Sequence, residues 1–237
     1  MYKNKKILAV ITARGGSKGI LGKNIKPLSG KPLIYWTLSE ARKSKYIDKI
    51  IVSTDDPGIA DISRKHGAEV PFLRPKKLAQ DKSSSMDVLF HAIDWLKQRG
   101  LVFDIVVLLQ PTSPLRTKTD IDEALMALFK RNAMAIVSVA EAFYPPLWTN
   151  TLPSDGNMKN FLPKGFVNKN RQSLPKYYQF NGAIYLGLIE YIKKKRSFLG
   201  ESTYAYLMPK ERSVDIDDTI DFLMAEILLK KQKDIRK

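Results

Sequence analysis

The chain has 237 residues, with 40 Lys or Arg against 24 Asp or Glu, and a formal net charge of +16. This length suits one large domain, or one domain with an insertion. No apolar run approaches the ~20 residues of a membrane-spanning helix, and the basic N-terminus lacks a cleavable signal pattern. The absence of cysteine excludes disulfides and thiolate metal sites, and it favours a reducing cytoplasm as the location.

The positive charge is compatible with three kinds of partner: nucleic acid, an anionic membrane surface or acidic small molecules. Most lysines are dispersed, and the two clusters at 193–196 and 230–233 fall at predicted helix ends, where cations suit the helix dipole. We therefore interpret the charge as a solvated, lysine-rich surface. Neither nucleic acid nor a membrane is a predicted partner.

Strand-like and helix-like segments alternate four times through the first 140 residues. The predicted strands are 7–11, 49–53, 104–110 and 133–139, and residues 70–73 are also predicted to be extended. The predicted helices between them begin near residues 31, 59, 85 and 120. This alternation predicts an α/β fold with a doubly wound, mostly parallel sheet. Ligands of such sheets bind beyond the carboxyl ends of the strands.

The alternation stops at residue 141. The next segment starts rich in aromatic residues and proline, continues polar and irregular, and includes a strand-like run at 178–186. We predict an inserted subdomain over residues 141–203 that pairs with a second copy, so the chain is expected to be a homodimer. The main domain would then comprise residues 1–140 and 204–237.

A glycine-rich loop, ARGGSKGILGKN at 13–24, follows the first strand directly. Its four glycines allow close backbone approach to a ligand, and their N–H groups can converge on an anion. Arg14, Lys18 and Lys23 would neutralise that anion, which makes a polyphosphate the expected guest. The loop has neither the Walker nor the dinucleotide-binding spacing. A flexible surface turn is the alternative, and the three interleaved cations disfavour it.

A pair of carboxylates forms the second candidate site. Asp215 and Asp217 lie on one side of the chain if the backbone there is extended. Two such carboxylates suit Mg²⁺, which also bridges to phosphate oxygens. The alternative is an acidic helix start in which Asp217 or Asp218 caps the last helix. Together with the glycine loop, the pair is predicted to bind Mg²⁺, the one cofactor expected.

Polar groups also follow two other predicted strands. Ser53–Asp56 comes after the second, and Gln110–Arg116 brings amide, hydroxyl and guanidinium groups to the rim after the third. The alternative for the latter is a proline-stiffened turn. Arg74 could bind phosphate or a base, or pair with a surface carboxylate.

These motifs, in this order, resemble those of the CMP-sialic acid synthetases, the N-acylneuraminate cytidylyltransferases. The opening motif Ala-Arg-Gly-Gly-Ser-Lys-Gly-x-x-x-Lys-Asn is the most specific similarity. Further similar segments are Ser53–Asp56, Arg74–Asp81, Leu109–Arg116, Arg171–Gln172, Asn181–Tyr185 and Ser213–Asp217. The resemblance extends over nearly the whole chain.

The resemblance implies a nucleotide-diphospho-sugar transferase-like fold and transfer of CMP from CTP to a nine-carbon sugar acid. The residues that it implies for nucleotide binding are Arg14, Ser17, Lys18, Lys23, Asn24, Arg74, Ser83 and Ser85. Those implied for the sugar acid are Gln110, Thr112, Asn181, Tyr185 and, from a partner subunit, Arg171. Those implied for catalysis are Arg14, Lys23 and the metal-binding pair Asp215 and Asp217. The general base is not identifiable from the sequence.

Two alternatives stay open. A related nucleotidyltransferase could use a different sugar acid, such as legionaminate or pseudaminate, or another nucleotide. A basic RNA- or membrane-binding protein without catalysis would account for the charge. A surface that binds polyanions gains nothing from paired carboxylates, however, so the acidic pair beside the glycine loop favours an enzyme.

Overall fold

A computed structural model describes residues 1–17, 19–80, 82–166 and 169–235, with side chains described through residue 232. The strands are β1 (Ile7–Thr12), β2 (Pro27–Leu28), β3 (Lys31–Pro32), β4 (Lys49–Ser53), β5 (Ile105–Leu109), β6 (Ala135–Glu141), β7 (Tyr178–Leu188) and β8 (Thr203–Leu207). The helices are α1 (Leu33–Arg42), α2 (Pro57–Lys65), α3 (Ser85–Lys97), α4 (Lys118–Lys130), α5 (Ile189–Lys195) and α6 (Thr219–Ile235).

Six of these strands form one sheet in the order β4-β1-β5-β7-β6-β8. The pairs β1–β4, β1–β5 and β6–β8 are parallel, whereas β7 runs antiparallel to both of its neighbours, β5 and β6. The short strands β2 and β3 form a separate antiparallel hairpin. The predicted mostly parallel α/β sheet is confirmed.

Helices cover both faces of the sheet, which explains why its central strands are continuously apolar. Alternate residues of β1 face opposite sides: Ile7, Ala9 and Ile11 pack with α1, α2 and α4, and Leu8 and Val10 pack with α3 and α5. All five are fully buried. Burial of a large aliphatic side chain contributes about 1.5–3 kcal/mol, so this double-sided core is the main stabilising element.

The four predicted strands and the helices that follow them are confirmed, with boundaries displaced by up to two residues at most strand and helix ends. Local capping chemistry determines two of the helix starts. Asp56 Oδ1 accepts a hydrogen bond from Ile59 N at 2.8 Å ahead of α2. Thr117 and Asp120 form a reciprocal capping box at the start of α4.

The predicted insertion is shorter than the sequence indicated. β7 lies inside the main sheet between β5 and β6, and α5 packs on its face through Ile189 and Ile192. The segment outside the sheet therefore runs from about residue 142 to 177 and holds two short 3-10 turns. β7 buries Ala183, Ile184 and Leu186 within its own chain, whereas Tyr178 and Phe180 are more than half exposed. The structure thus places β7 in the main sheet rather than in a separate subdomain over residues 141–203. Pairing of the remaining excursion with a second copy stays a prediction.

None of the helices among the described residues is long and apolar enough to cross a bilayer.

Asp120 connects α4 to the far edge of the sheet. Its carboxylate accepts hydrogen bonds from Arg212 Nε at 3.0 Å and Nη2 at 2.7 Å, and from Thr117 N at 2.9 Å. The hydroxyl of Tyr206 on β8 lies 3.3 Å away. Burial alone would raise the pKa of Asp120, but the hydrogen bonds from Arg212 and Thr117 hold that pKa below its usual value.

Asp120→Asn should lower the free energy of unfolding at pH 7 by about 2–4 kcal/mol, because it leaves Arg212 partly buried without its charge partner. A carboxyl whose folded-state pKa is depressed stabilises the fold above its unfolded pKa, and that stabilisation is lost as pH falls through the folded value. The difference in free energy of unfolding between Asp120→Asn and wild type, measured with urea, should therefore become smaller below about pH 4.

Asp61→Asn is the matched control, because Asp61 pairs with Arg64 on the exposed face of α2 at 3.2 Å. Exposed pairs of this kind contribute about 0.5 kcal/mol or less. Equal losses in the two variants would show that Asp120 does not hold α4 to β8.

Candidate functional site

A cleft of about 650 Å³ opens at the carboxyl ends of β1 and β5. The predicted site residues that line it are Arg14, Ser17, Lys23, Asn24, Arg74, Ser83, Ser85, Gln110, Thr112, Asp215 and Asp217. Lining residues that the sequence analysis did not assign include Thr12, Leu78, Gln80 and Val88. The structure thus brings the glycine-rich loop and the start of the Gln110–Arg116 segment together in the cleft, whereas none of the described residues Ser53–Asp56 lines it.

The glycine-rich loop is packed on the acidic turn that follows β4. Gly15 N donates to Asp55 Oδ1 at 3.2 Å, and a Cβ at Gly15 would lie 2.8 Å from Asp56 Oδ2. At the other end of the loop, the buried Asn24 donates from Nδ2 to Arg14 O at 2.9 Å. The described residues of the loop therefore form one wall of the cleft, and Asn24 supports the backbone at Arg14.

Arg74 forms the adjacent wall. Its buried guanidinium donates from Nη2 to Asp55 Oδ1 at 3.1 Å, and its backbone N donates to Thr54 O at 2.7 Å. Burial lowers the pKa of Arg74 from its ordinary value, and the hydrogen bond that Arg74 donates to Asp55 opposes that shift. Its Nε is buried without a hydrogen-bond partner. A fixed cation with an unused donor at the cleft wall suits an anionic or carbonyl-bearing ligand.

Lys23 joins the glycine loop to the acidic segment. Its Nζ donates to Ile216 O at 2.5 Å and lies 3.6 Å from Asp217 Oδ1. The two segments also touch at Gly19, where a Cβ would meet Asp217 O at 2.2 Å. No larger residue fits at position 19 unless the loop moves away, so the contact fixes the spacing between the cations and the carboxylates.

The two candidate metal ligands differ in exposure. The Asp217 side chain is 86% exposed, whereas Asp215 is half-buried and its Oδ1 has no hydrogen-bond partner. Burial raises the pKa of Asp215 above its usual value, despite a hydrogen bond from Thr112. The neighbouring Asp218 has a different role: its Oδ1 accepts from Ile220 N at 2.8 Å and Asp221 N at 3.0 Å. Asp218 thus caps α6, and Asp217 does not.

The donor set at Asp215 and Asp217 fits Mg²⁺. A buried carboxylate oxygen without a partner is costly unless a cation or donor satisfies it, and Mg²⁺ prefers oxygen ligands of this kind. Among the described residues, no group of three or more His, Cys, Asp or Glu could hold a metal ion. An ion here would therefore take its remaining ligands from waters or from phosphate oxygens of a substrate.

Gly182 lies between two of the cleft residues. Its φ is +68°, and a Cβ there would lie 2.7 Å from both Asp215 Oδ2 and Gln110 Oε1. The sequence alone predicted no role for this glycine. A glycine inside an apolar strand-like run is itself a signal of a bulge or of a close approach.

Asn181 does not reach the cleft. It is 1% exposed, and its side-chain atoms are used internally. Oδ1 accepts from Ser138 Oγ at 2.6 Å and Ala183 N at 3.2 Å, while Nδ2 donates to Ser213 Oγ at 3.0 Å and contacts Met208 Sδ at 3.3 Å. The structure gives Asn181 no free group for a sugar and places it in the support beneath the site.

Arg116 is not at the rim, where the sequence analysis placed its guanidinium. It is 1% exposed and lies below the cleft, bonded to backbone and hydroxyl oxygens. An arginine that follows a strand end looks like a ligand-binding group when its burial is not visible.

The remaining predicted residues are placed as follows. Tyr185 is half-buried, its ring packs at 5.7 Å from that of Phe198, and burial followed by the charge of Asp215 raises its pKa. Arg171 lies outside the cleft and donates from Nη2 to Phe143 O at 2.7 Å. Lys18 lies outside the described residues.

Comparison with known proteins shows which family this chain resembles. A family model described as Cytidylyltransferase matches residues 8–185. The chain is 39% identical over 234 residues to CMP-N,N'-diacetyllegionaminic acid synthase of Legionella pneumophila, covering 94% of this chain and 96% of the relative. It is 32% identical to pseudaminic acid cytidylyltransferase of Campylobacter jejuni, covering 95% and 97%.

The chain is also 36% identical to N-acylneuraminate cytidylyltransferase of Escherichia coli O18:K1:H7, covering 96% of this chain and 53% of that longer relative. Among solved structures, CMP:2-keto-3-deoxy-manno-octonic acid synthetase complexed with CTP superposes with a TM-score of 0.69 at 17% identity, covering 96% of this chain and 99% of that chain. At this identity the likeness shows a shared fold.

Gly182→Ala should cost more free energy of unfolding than Gly100→Ala. Both residues have positive φ, so alanine is strained at each by about 1 kcal/mol. A Cβ at Gly100 meets no atom within 4 Å, whereas one at Gly182 meets Asp215 and Gln110. Overpacking at Gly182 should lower the free energy of unfolding, measured with urea, by a further amount of about 1–3 kcal/mol. Equal costs would mean that the Asp215–Gln110 gap relaxes freely.

Proposed function

Since this chain belongs to the cytidylyltransferase family, we propose that it transfers CMP from CTP to the anomeric hydroxyl of a nine-carbon sugar acid and releases pyrophosphate. One observation carries the proposal. The cleft holds the cationic glycine loop and the Asp215–Asp217 pair against each other, with Lys23 bonded between them. Such opposed charges suit a triphosphate that arrives with a divalent cation.

The loop side of the cleft would bind the nucleotide. The positive charges of Arg14, Lys23 and Arg74 would neutralise the negative charge of the triphosphate, and loop N–H groups can donate further hydrogen bonds to it. The N-terminus of α3, with Ser83 and Ser85, also faces this end, where the helix dipole favours negative charge. Leu78, Gln80 and Val88 would flank the nucleoside.

Asp215 and Asp217 would hold Mg²⁺. When bound, the ion would supply charge neutralisation at the phosphates. Lys23 keeps the acidic segment in register with the loop through Ile216 O. The chain's own contribution is thus to place the α-phosphorus and the acceptor hydroxyl in line, and positioning of this kind supplies much of the acceleration in phosphoryl and nucleotidyl transfer.

The acceptor would lie at the Gln110 side of the cleft. Gln110 and Thr112 present amide and hydroxyl groups there, and Tyr185 lies near Asp215. The relatives are named for legionaminate, pseudaminate and N-acylneuraminate. We take the acceptor to be one of these nine-carbon acids, and we place the reaction in the cytoplasm, where CTP is available.

The direct test incubates the protein with CTP, Mg²⁺ and each of the three sugar acids and measures pyrophosphate release. Release should depend on one of the acids and on CTP rather than on ATP, GTP or UTP. No release with any acid, from protein that binds CTP, would reject the acceptor class. Tight RNA binding without turnover would instead support the alternative of a basic binding protein.

Asp215→Asn should lower turnover by orders of magnitude with the fold intact, because a neutral amide is a weaker ligand for Mg²⁺ than a carboxylate. Asp217→Asn should act in the same direction. Asp218→Asn is the matched control: asparagine caps a helix as well as aspartate does, so turnover should stay near wild type. Near-normal turnover of folded Asp215→Asn at limiting Mg²⁺ would remove that residue from the metal site.

The proposal includes a homodimer in which Arg171 of each copy serves the cleft of the other. Within its own chain Arg171 lies outside the cleft, and a guanidinium can bind a sugar carboxylate bidentately. Mixing Arg171→Ala with Asp215→Asn should then recover about a quarter of the wild-type rate, because half of randomly formed dimers are mixed and each holds one intact site.

Mixing Asp215→Asn with Asp217→Asn is the control, since no mixed dimer of these two contains an intact acidic pair. Subunit exchange is verified by pull-down of a tagged copy. Exchange without recovery in the first mixture would mean that Arg171 does not complete a neighbouring cleft.

A further inference from the structure

Arg116 lies where the regular pairing of β5 with β7 ends. The antiparallel ladder runs from Ile105↔Leu188 to Leu108↔Tyr185 and stops there. Beyond it the backbone of β7 bulges. Val137 and Val139, which are two positions apart on β6, pair with Tyr185 and Phe180, which are five positions apart on β7. Strand-to-strand hydrogen bonds cannot continue across such a bulge.

The guanidinium of Arg116 supplies donors at this break. Nη1 donates to Ala183 O at 2.7 Å and to Gln110 O at 3.3 Å, and Nη2 donates to Thr37 Oγ1 at 2.7 Å. One planar group therefore connects the end of β5, the bulge of β7 and helix α1.

The residues that it connects flank the acidic pair. Gln110 carries the amide that lines the cleft, and Ala183 directly follows Gly182. A single point, the Cβ position of Gly182, lies 2.7 Å from both Gln110 Oε1 and Asp215 Oδ2. A shift of the Gln110 backbone would therefore move its amide relative to Asp215, and a shift of Gly182 would change the space left between the two groups.

We propose that Arg116 is a positioning residue for the acceptor half of the cleft: it holds Gln110 and the Gly182 bulge at a fixed separation around Asp215. The inference rests on the proposed function, because it assigns the sugar acid to that half. Arg116 touches no substrate and acts through the two carbonyls.

A guanidinium suits this task better than the alternatives. Its two Nη nitrogens, which lie in one plane, donate to three oxygens, whereas a lysine has a single nitrogen. Burial lowers the pKa of Arg116 to about 10, so the group stays charged at neutral pH, and Asp120, Glu40 and Asp215 are the carboxylates whose charges oppose that shift. Hydrogen bonds from a charged donor hold their acceptors more firmly than neutral ones.

The nucleotide half is held by different contacts. The glycine loop rests on Asp55 and Asp56, and Arg74 is bound to Asp55. Arg116 makes no hydrogen bond to these residues among those described. Loss of Arg116 should therefore disturb the acceptor while leaving CTP binding close to normal.

The test compares Arg116→Lys and Arg116→Met with Arg212→Met. Arg212 is the control because it makes a bidentate ion pair with Asp120, so its loss destabilises the fold, yet all three hydrogen bonds that Arg116 makes to Ala183, Gln110 and Thr37 stay in place. For each variant the Kd of CTP, and kcat and KM for the sugar acid, are measured well below its melting temperature.

Both Arg116 variants should bind CTP within about twofold of wild type, and kcat/KM for the sugar acid should fall roughly 10- to 100-fold. Arg116→Lys should recover little of that loss. Arg212→Met should keep wild-type kinetics at a comparable loss of stability. If Arg116→Met does not fold, Thr37→Val carries the same comparison. It removes the acceptor of Arg116 Nη2 and the 3.4 Å hydrogen bond from Thr37 Oγ1 to Gln110 O, so it should raise the sugar-acid KM with CTP affinity unchanged.

Two results would overturn the inference. One is an Arg116 variant whose kinetics match those of Arg212→Met, and the other is an equal loss of CTP and sugar-acid binding, since both indicate a general structural role. A wild-type protein that turns over no sugar acid is a different result, which rejects the proposed function itself.

Discussion

The bulge of β7 at residues 181–184 is the constraint on which the candidate site depends. A bulge leaves backbone groups without strand partners, and in a buried sheet those groups must be satisfied by other means. Three polar side chains do so from three directions: Ser138 bonds both N and O of Ile184, Ser113 donates to Asn181 O, and Arg116 donates to Ala183 O. Each of the three is almost completely buried.

The bulge has a chemical consequence at the cleft. Because β7 is antiparallel to its neighbours, the first half of the strand lies at the carboxyl ends of β5 and β6, where the ligand site of a parallel sheet is found. The bulge places Gly182 there, and the absence of a side chain at Gly182 leaves room for Asp215 and Gln110 to face the same space. The acidic half of the cleft is therefore built on a strand whose direction opposes that of the others.

Most of the fold could be predicted because it follows from local patterns. The runs ILAVI and DIVVLL are apolar enough to be buried on both faces, and the intervening periodic stretches form the covering helices. The position of β7 was not predictable in this way, because its pairing with β5 joins residues separated by about eighty positions. The irregular excursion before it also gave no sign that the chain returns to the centre of the sheet.

The cleft residues were predictable to the extent that they follow strand ends. Residue type alone did not show which polar groups face a ligand and which support the backbone. Asn181 and Arg116 are the clearest cases. Asn181 lies within β7 and Arg116 follows the end of β5, and the side chains of both make internal hydrogen bonds. The same ambiguity separated Asp217 from Asp218, since both are acidic and adjacent but only one caps α6.

The position of β7 also bears on how the nascent chain assembles. β5 and β6 are made first, yet they are not neighbours in the finished sheet, so each presents an open edge until β7 is synthesised and enters between them. Residues up to 141 can begin to organise the glycine-rich loop on β4, β1 and β5. The acidic side of the cleft has to wait for the last sixty residues, which carry both β7 and the Asp215–Asp217 segment. A ribosome that stalls before that point leaves a half-built cleft with two unpaired strand edges, the kind of surface on which chaperones act.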